Sequence, residues 1–273
     1  MTNSTLTEDF KSEVYTDKSN LKSPDIFENT HEDFAWLTNY LETLWSCSMW
    51  LPTTSATTAY IFRQIINRYV DLTSDNENWK KVGCGDFSYR GMGHPEAAIT
   101  SGAAFLTSFT KTSTIPAIAY ACEYYNADVR KEDIGSWSAS VEHSCTTSNF
   151  AVDGNEDDFF VRMCTEICKD KPFSFVADSY DYFNFLNVIL RKHKDLALNH
   201  KGGIRVRPDS GDPETIICGS TDDANENSTL EEKGTLRILD EIFGHTINSK
   251  GYKVLDSHIG IIYGDGDNCY IVE

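Results

Sequence analysis

Three short apolar runs in the second half of the chain constrain its fold more than any other feature. They are Phe173 to Val176, Ile204 to Val206 and Ile259 to Tyr263, and each is followed by a polar turn that contains Gly or Ser. Segments with amphipathic helical spacing lie between these runs. Strands that alternate with amphipathic helices are typical of a parallel sheet. We therefore predict an α/β protein whose parallel sheet is barrel-like.

The segment before the last run predicts one helix of this fold in more detail. Leu236, Leu239, Ile242 and Phe243 recur at helical spacing and would form one apolar face. Gly244 follows directly and is a residue at which a helix commonly ends. The turn-rich acidic segment before the helix, residues 219–232, is expected to be an exposed loop that leads into it.

Polar residues at the ends of the three predicted strands are candidates for a shared site. Asp178, Asp209 and Asp265 each follow one of the runs, and Arg207 precedes Asp209. A single Asp at such a position can simply cap a helix or fix a turn. In parallel α/β folds, however, the loops at the carboxyl ends of the strands build the active site. Arg207 could hold phosphate oxygens, and the carboxylates could hold Mg²⁺ or sugar hydroxyls, so the set favours a phosphorylated sugar.

Two further segments add candidate residues. Phe87, Tyr89 and Arg90 precede an Ala-rich helical segment, and an aromatic ring with an arginine can bind a flat heterocycle by stacking. The alternative places the two rings in the core and Arg90 in a surface ion pair. His143 lies in the segment SVEHS, where it could be a reacting group or an ordinary polar loop residue.

Composition excludes several classes of function. The formal net charge is −18 and the pI is about 4.7, which argues against binding to a nucleic-acid backbone. The eight cysteines have no zinc-ligand spacing, and Cys164 and Cys168 are expected to be buried apolar residues. The dinucleotide-binding, Walker and hydrolase glycine motifs do not occur. We expect a soluble protein of a reducing compartment, the cytoplasm.

The chain divides into three predicted regions. Residues 1–30 are polar and are expected to be a disordered arm, 31–83 form a helical segment, and 84–273 form part of the α/β barrel. The helical segment is predicted as two helices separated at Pro52. Their apolar stripes, which we expect in the core, contain Phe34, Leu37, Leu41, Leu44 and Trp45 in the first helix and Tyr60, Ile61, Ile65 and Tyr69 in the second.

The order of several short motifs resembles one enzyme family. The motifs are DFSYRG, VEHS, ADSYD, IRVRPDSG, NSKGYK and YGDGD, and they occur in this order between residues 86 and 267. Together they are similar to the motifs of nicotinamide phosphoribosyltransferases, and the resemblance covers residues 32–268. It implies a type II phosphoribosyltransferase barrel that forms nicotinamide mononucleotide and pyrophosphate from nicotinamide and phosphoribosyl pyrophosphate. It also implies Mg²⁺, ATP as an activating co-substrate, and a homodimer with the site at the interface.

The resemblance assigns roles to individual residues. His143 would be the histidine that ATP phosphorylates, and Asp178 would orient it. Arg207 and Asp209 would hold the sugar phosphate and pyrophosphate, Asp209 being also a possible contact of Mg²⁺ through phosphate or water. Phe87 and Arg90 would contact the base. Gly264 and Asp265 would contact the ribose hydroxyls.

Two departures from the family pattern leave alternatives open. Ser113 stands where the family has an Asp that receives the nicotinamide amide, so nicotinate becomes an alternative substrate. The family's D-S-Y-K segment and its Gly-rich phosphate loop have no counterpart here, so we expect a chain truncated at both ends. A catalytically inactive homologue that acts as a binding protein is therefore a further alternative.

Overall fold

The computed structural model describes residues 37–264. The arm predicted for residues 1–30, the predicted helical position Phe34 and the predicted site residue Asp265 lie outside the described residues. By its internal contacts the chain divides into two compact units, Met1–Leu51 and Pro52–Glu273.

The first helix, α1 (Thr38–Thr73), runs through Pro52, so the prediction of two separate helices is wrong. An interior proline lacks one backbone donor and crowds the carbonyl of the preceding turn, so it can kink a helix without ending it. Within the first unit Leu41, Leu44 and Trp45 are exposed rather than part of a core. A four-residue helix, α2 (Trp79–Val82), follows. Within the described residues, none of the helices combines the length and the apolarity that crossing a membrane requires.

The buried stripe of α1 in the second unit differs from the predicted one. Ala59, Phe62 and Val70 are buried, whereas Tyr60 and Tyr69 are exposed. The buried positions have helical spacing of their own, and they are rotated from the predicted stripe by about one residue. A tyrosine can cover apolar surface while its hydroxyl stays in water, so its place in an apolar pattern does not require burial.

A small parallel pair of strands follows α2. Strands β1 (Gly85–Asp86) and β2 (Lys111–Thr112) are joined through a short 3-10 turn and helix α3 (Pro95–Phe105), and β2 leads into α4 (Ile115–Tyr124). Helix α3 begins where the sequence provides both a cap and a proline. The imidazole of His94 accepts a hydrogen bond from the amide of Ala97, and Pro95 occupies the first turn, where its missing N–H costs little.

Among the described residues, the main sheet has four parallel strands. Strands β3 (Ala139–Ser140), β4 (Phe173–Val176), β5 (Ile204–Arg207) and β8 (Ile259–Ile261) lie side by side in this order. The strand prediction for β4 is confirmed, that for β5 is confirmed with Arg207 added, and the third predicted strand ends at Ile261 rather than Tyr263. The prediction of a parallel α/β protein is therefore confirmed.

Helices connect these strands and pack on the sheet. They are α5 (His143–Asp153), α6 (Glu156–Arg162), α7 (Tyr182–Asn184), α8 (Lys194–Leu198), α9 (Pro213–Cys218) and α10 (Leu230–Phe243). Two wide π turns, Met163–Ile167 and Phe185–Leu190, extend α6 and α7. Cys164 and Cys168 are both buried, as predicted.

A cluster of phenylalanine rings fixes the position of β4. The ring of Phe175 stacks on that of Phe185 with centroids 5.0 Å apart, and Phe160 meets both rings edge-on at 5.5 and 5.4 Å. All three residues are fully buried. Burial of each ring is worth about 1.5–3 kcal/mol, to which the edge-to-face pairs add about 1 kcal/mol. The carboxyl end of β4 therefore lies on a rigid base.

The structure confirms part of the apolar face that was predicted for helix α10. Leu239 and Ile242 are buried and the helix ends at Gly244, which has a φ of 77°. Leu236, however, is exposed, so its predicted place in the core is wrong. The buried stripe begins at Thr235, whose hydroxyl bonds to the Ile216 carbonyl, and this rotates Leu236 about 100° away from the core.

A hairpin of β6 (His245–Ile247) and β7 (Lys253–Leu255) follows α10. The ammonium group of Lys250, in the turn, donates to three carbonyls at the end of α1, those of Val70, Asp71 and Ser74, at 3.2, 2.7 and 2.7 Å. The hairpin thus binds to carbonyls at the C-terminus of the helix, where intrahelical amide donors run out.

Candidate active site

The carboxyl ends of β3, β4 and β5 bring the predicted site residues to one edge of the sheet. Glu142 and His143 follow β3, Asp178 follows β4, and Arg207 ends β5. Because the three strands are parallel and adjacent, the residues that follow them meet at the same edge. The sheet topology therefore explains why His143 and Asp178, 35 positions apart, and Glu142 and Arg207, 65 positions apart, come into contact.

The three predicted catalytic residues form one cluster. The Nε2 atom of His143 is 3.0 Å from Oδ1 of Asp178, and its Nδ1 atom is 3.8 Å from Oδ2 of Asp209. Because a carboxylate can only accept, Nε2 carries the proton of this hydrogen bond. In the neutral imidazole, Nδ1 then keeps its lone pair.

Asp178 is held by two further donors. Its Oδ2 atom accepts from the amide of Asp209 at 3.0 Å and from the hydroxyl of Ser210 at 2.6 Å. The side chain of Asp178 is 7% exposed, whereas that of His143 is 44% exposed. The carboxylate is thus fixed by the protein, and the imidazole reaches from it toward solvent.

Arg207 links the loops after β3 and β5. It is buried, and its guanidinium donates to Oδ1 of Asp209 at 3.1 Å and to the carbonyl of Val141 at 3.0 Å. The same group lies 3.3 Å from Oε1 of Glu142, which is also 3.2 Å from the exposed guanidinium of Arg90. Burial raises the pKa of Glu142, but Arg207 and Arg90 together hold it below its usual value. Two cations and two anions therefore alternate along this edge.

A cavity of about 350 Å³ adjoins this network. Five predicted binding residues line it: Phe87, Arg90, Ser113, Arg207 and Gly264. Tyr89, singled out in the same loop as Phe87, also lines it. Sequence reasoning missed the other lining residues, which are Trp137, Ser138, Ser140, Glu142, Ser174 and Ile262. Ser138, Ser140 and Glu142 are spaced two residues apart, but without a neighbouring apolar run this spacing does not identify a strand.

Asp86 organises the aromatic side of the cavity. It is buried, and its carboxylate accepts from the hydroxyls of Ser88, Thr112 and Thr114 at 2.6, 3.1 and 2.6 Å. These three bonds tie the loop after β1 to β2 and satisfy a charge that would otherwise be costly to bury. The neighbouring Phe87 is held as part of this loop, and its ring centroid lies 6.3 Å from that of Trp137.

The donor set suits a magnesium ion held mainly by a phosphorylated ligand. Among residues 37–264 there is no group of three or more His, Cys, Asp and Glu side chains that could hold a metal. Oδ2 of Asp209 lies 3.8 Å from Nδ1 of His143, and the Asp209 side chain is 19% exposed. Magnesium is commonly bound by one or two carboxylates together with substrate phosphates and water, and Asp209 meets that requirement.

Comparison with known proteins finds one family. Residues 82–270 match the nicotinate phosphoribosyltransferase (NAPRTase) family. A nicotinamide phosphoribosyltransferase of Acinetobacter baylyi is 38% identical over 243 residues, covering 87% of this chain and 47% of the relative. Proteins of the same name from Mycoplasma genitalium and Xanthomonas campestris are 35% and 32% identical, each over 88% of this chain and over 49% and 47% of their own lengths. The chain thus spans about half the length of these curated relatives.

Proposed function

Since this chain belongs to the nicotinate phosphoribosyltransferase family, we propose that it carries the phosphoribosyl-transfer site of a nicotinamide phosphoribosyltransferase. The products would be nicotinamide mononucleotide and pyrophosphate, formed from nicotinamide and phosphoribosyl pyrophosphate as a step of NAD salvage. One observation carries the proposal. The cluster of His143, Asp178, Asp209 and Arg207 adjoins a cavity with an aromatic wall at the carboxyl edge of a parallel sheet.

The fold, the assembly and the compartment of the enzyme are part of the same proposal. The four parallel strands would form part of a type II phosphoribosyltransferase barrel, and a second copy of the chain would complete the site in a homodimer. The strand order and the shared direction of β3, β4, β5 and β8 support this placement, because successive parallel strands are the repeating unit of such barrels. The enzyme would act in the cytoplasm, on small molecules rather than on nucleic acid or membranes.

The residues of the site have complementary tasks in the transfer. The pyridine nitrogen forms a bond to the anomeric carbon while the bond from that carbon to pyrophosphate breaks, and positive charge develops on the sugar ring. Phe87 stacks on the base, and Arg207 binds the sugar phosphate and the leaving pyrophosphate together with Asp209. Magnesium, held through Asp209 and the phosphates, would neutralise the leaving group.

His143 would receive the phosphoryl group of ATP. Because Nε2 donates a hydrogen bond to Asp178 and keeps its proton, the lone pair of Nδ1 is the nucleophile. The new N–P bond forms as the bond from the γ-phosphorus to the bridging oxygen breaks, and ADP leaves. The contact of Asp178 with the amide of Asp209 and the hydroxyl of Ser210 holds the carboxylate still during this step.

The charges around the cavity favour nicotinamide over nicotinate. Arg90 and Arg207 are offset by Glu142, and Arg207 is offset again by Asp209. A neutral carboxamide is therefore accepted without an unpaired charge, whereas a carboxylate would meet the anionic Glu142. Ser113, which stands in place of the family's Asp, lines the same cavity and leaves nicotinate as the second candidate substrate.

Glu142→Gln is expected to shift this preference. Removing the anion between Arg90 and Arg207 should raise the ratio of kcat/KM for nicotinate to that for nicotinamide about tenfold, which is roughly 1.4 kcal/mol. The ratio is measured with both bases in the same preparation, so a general loss of activity cancels. Glu231→Gln, an exposed substitution in α10, is the control for net charge. An unchanged ratio in Glu142→Gln would contradict the electrostatic explanation.

Gly264→Ala is expected to weaken binding of the base without affecting the phosphates. A Cβ atom at Gly264 would lie 2.6 Å from Cζ of Phe87, so the ring must turn or the strand must move. We expect the KM for nicotinamide to rise about tenfold, with a much smaller change in the KM for phosphoribosyl pyrophosphate. Gly91→Ala, in the same loop as Phe87 but with open space around the added methyl group, serves as the control. Equal changes in both KM values would be evidence against a role confined to the base.

The proposal is tested by assaying this chain with phosphoribosyl pyrophosphate, Mg²⁺ and either pyridine base, with and without ATP. Mononucleotide formation that ATP stimulates, and that loses its ATP stimulation in His143→Ala, would support it. ATP-dependent, acid-labile labelling of His143 provides a second readout. If neither base yields product while nicotinamide or phosphoribosyl pyrophosphate still binds, the chain is a binding homologue and the enzymatic proposal fails.

A further inference from the structure

Glu156 is a buried acid that the proposed chemistry does not use. It is the first residue of α6, only 8% exposed, and its Oε1 atom is fully buried without a hydrogen-bond partner among the described residues. Its neighbour Asp157, in contrast, pairs with Lys192 and His193. A buried carboxylate without a donor is costly, so Glu156 needs a different explanation from the other acids of this turn.

The packing of α6 places Glu156 at the site edge of the sheet. The segment from β3 to β4 is a crossover between parallel strands, so α6 runs antiparallel to β4 and begins near the strand's carboxyl end. One turn after Glu156, the rings of Phe159 and Phe160 lie 5.6 and 5.5 Å from that of Phe175 on β4. Glu156 therefore lies beside the loop that follows β4, which begins at Asp178.

The charged groups that act on Glu156 are both acidic. Burial, followed by the charges of Asp178 and Asp181, raises the pKa of Glu156 to about 7. Asp178 receives hydrogen bonds from His143, Asp209 and Ser210, and Asp181 accepts from the amide of Asn184 at 2.9 Å. Of the three neighbouring carboxyl groups, Glu156 alone has no hydrogen-bond donor in the described structure. Glu156 is therefore the one of the three that is most readily protonated.

We propose that Glu156 is a positioning residue for the His143–Asp178 pair and supports that pair only while its own buried carboxyl is protonated. In the protonated state, Glu156 fills its place without adding charge, and Asp178 stays bonded to His143. After ionisation, a third carboxylate would repel Asp178 and Asp181, and the loop that carries them would move away from His143. The other titratable groups near the pair are Asp209, which faces the imidazole, and the buried Tyr182, which feels the charge of Asp178.

The catalytic consequence rests on the proposed function. As the pH rises through about 7, the population with a protonated Glu156 falls, and alignment of the histidine falls with it. At lower pH, Glu156 is protonated and His143 stays hydrogen-bonded to Asp178. At a pH one unit above its pKa, about one tenth of a carboxyl group is still protonated. The activity at pH 8 can therefore fall to about one tenth of its value at low pH through this group.

The pH profile of Glu156→Gln tests the proposal in the intact chain. Glutamine has the shape of the protonated acid and cannot ionise, so this variant should lose the decline in His143 phosphorylation and turnover above pH 7. We expect the ratio of activity at pH 8.5 to that at pH 6.5 to rise at least about threefold relative to the wild-type chain. Glu166→Gln, an exposed change of equal charge just after α6, should keep the wild-type profile. Superimposable profiles for Glu156→Gln and the wild type would overturn the proposal.

A second measurement does not depend on turnover. The Nε2 proton of His143, hydrogen-bonded to Asp178, should give a downfield NMR signal that broadens above pH 7 in the wild-type chain and persists in Glu156→Gln. Carboxyl NMR of the wild-type chain reports the ionisation of Glu156 directly, even if Glu156→Gln does not fold. A midpoint at the ordinary value of a glutamate, or a signal of His143 that is equally stable in both chains, would refute the role of Glu156. The expected NMR behaviour in a chain without activity would instead refute only the proposed function.

Discussion

Arg207→Ala is expected to lower kcat/KM of the proposed transferase about a thousandfold. The guanidinium contacts Val141, Glu142 and Asp209 at once, so its loss removes both a phosphate contact and the group that joins two loops of the site. Removal of a single preorganised donor from a reaction site typically costs a factor of 10²–10³, and here Asp209 would also lose the cation it pairs with. Steady-state kinetics with varied phosphoribosyl pyrophosphate measure the effect.

Two further variants separate the geometry of Arg207 from its charge. Arg207→Lys keeps the charge but cannot reach all three partners, so we expect it to recover little activity. Arg205→Ala changes an arginine of the same strand whose guanidinium donates to the carbonyl of Ile204, and it should remain within about threefold of the wild type. Activity of Arg207→Ala within that same range would exclude Arg207 from the reaction site.

Gly234→Ala is expected to cause the largest loss of stability of any single methyl addition considered for this chain. Gly234 has a φ of 69°, and a Cβ atom there would lie 2.2 Å from the amide nitrogen of Gly219 and 2.5 Å from the carbonyl carbon of Cys218. These neighbours are backbone atoms at the end of α9 and cannot rotate away. Backbone strain and overpacking together predict a loss of about 3 kcal/mol or more.

Thermal unfolding measures this loss against a matched glycine. A change of about 3 kcal/mol corresponds to a fall in Tm of roughly 6–12 °C for a domain of this size. Gly244→Ala has a similar positive φ of 77° but open space around the added methyl group, so it isolates the backbone cost of about 1 kcal/mol. If the two variants lowered Tm equally, close contact between α9 and α10 would not be the cause.

The strands and the polar residues at their ends could be predicted from the sequence because they depend on local patterns. Three apolar residues among the four from Phe173 to Val176 indicate a buried strand, and parallel topology then brings Asp178 to the same edge as Arg207. His143 was different, since nothing in its own segment separates a reacting imidazole from a polar loop residue. The family resemblance singles it out; its Nε2 atom lies 3.0 Å from Asp178, and its reacting role stays a prediction.

Other features depend on tertiary packing and could not be predicted in the same way. Strand β3 has only two residues, both exposed, so no apolar run reveals it, and the cavity residues Ser138 and Ser140 were missed with it. Leu236 matched the apolar period of α10, but the break at Gly234 and the bonded hydroxyl of Thr235 set the actual phase of the buried face. Glu156 could not be distinguished by sequence from the two acids that follow it.

The bond network of Lys250 also has a consequence for synthesis of the chain. Lys250 donates to the carbonyls of Val70, Asp71 and Ser74, which precede it by 180, 179 and 176 residues. On the ribosome, the last turn of α1 is therefore made long before the ammonium group that binds its carbonyls, and water occupies the place of that group until the hairpin emerges. Docking of that hairpin closes a loop of most of the chain, so it belongs among the last folding events. Ribosome-bound chains halted before residue 250 should show faster amide exchange at the end of α1 than released chains do.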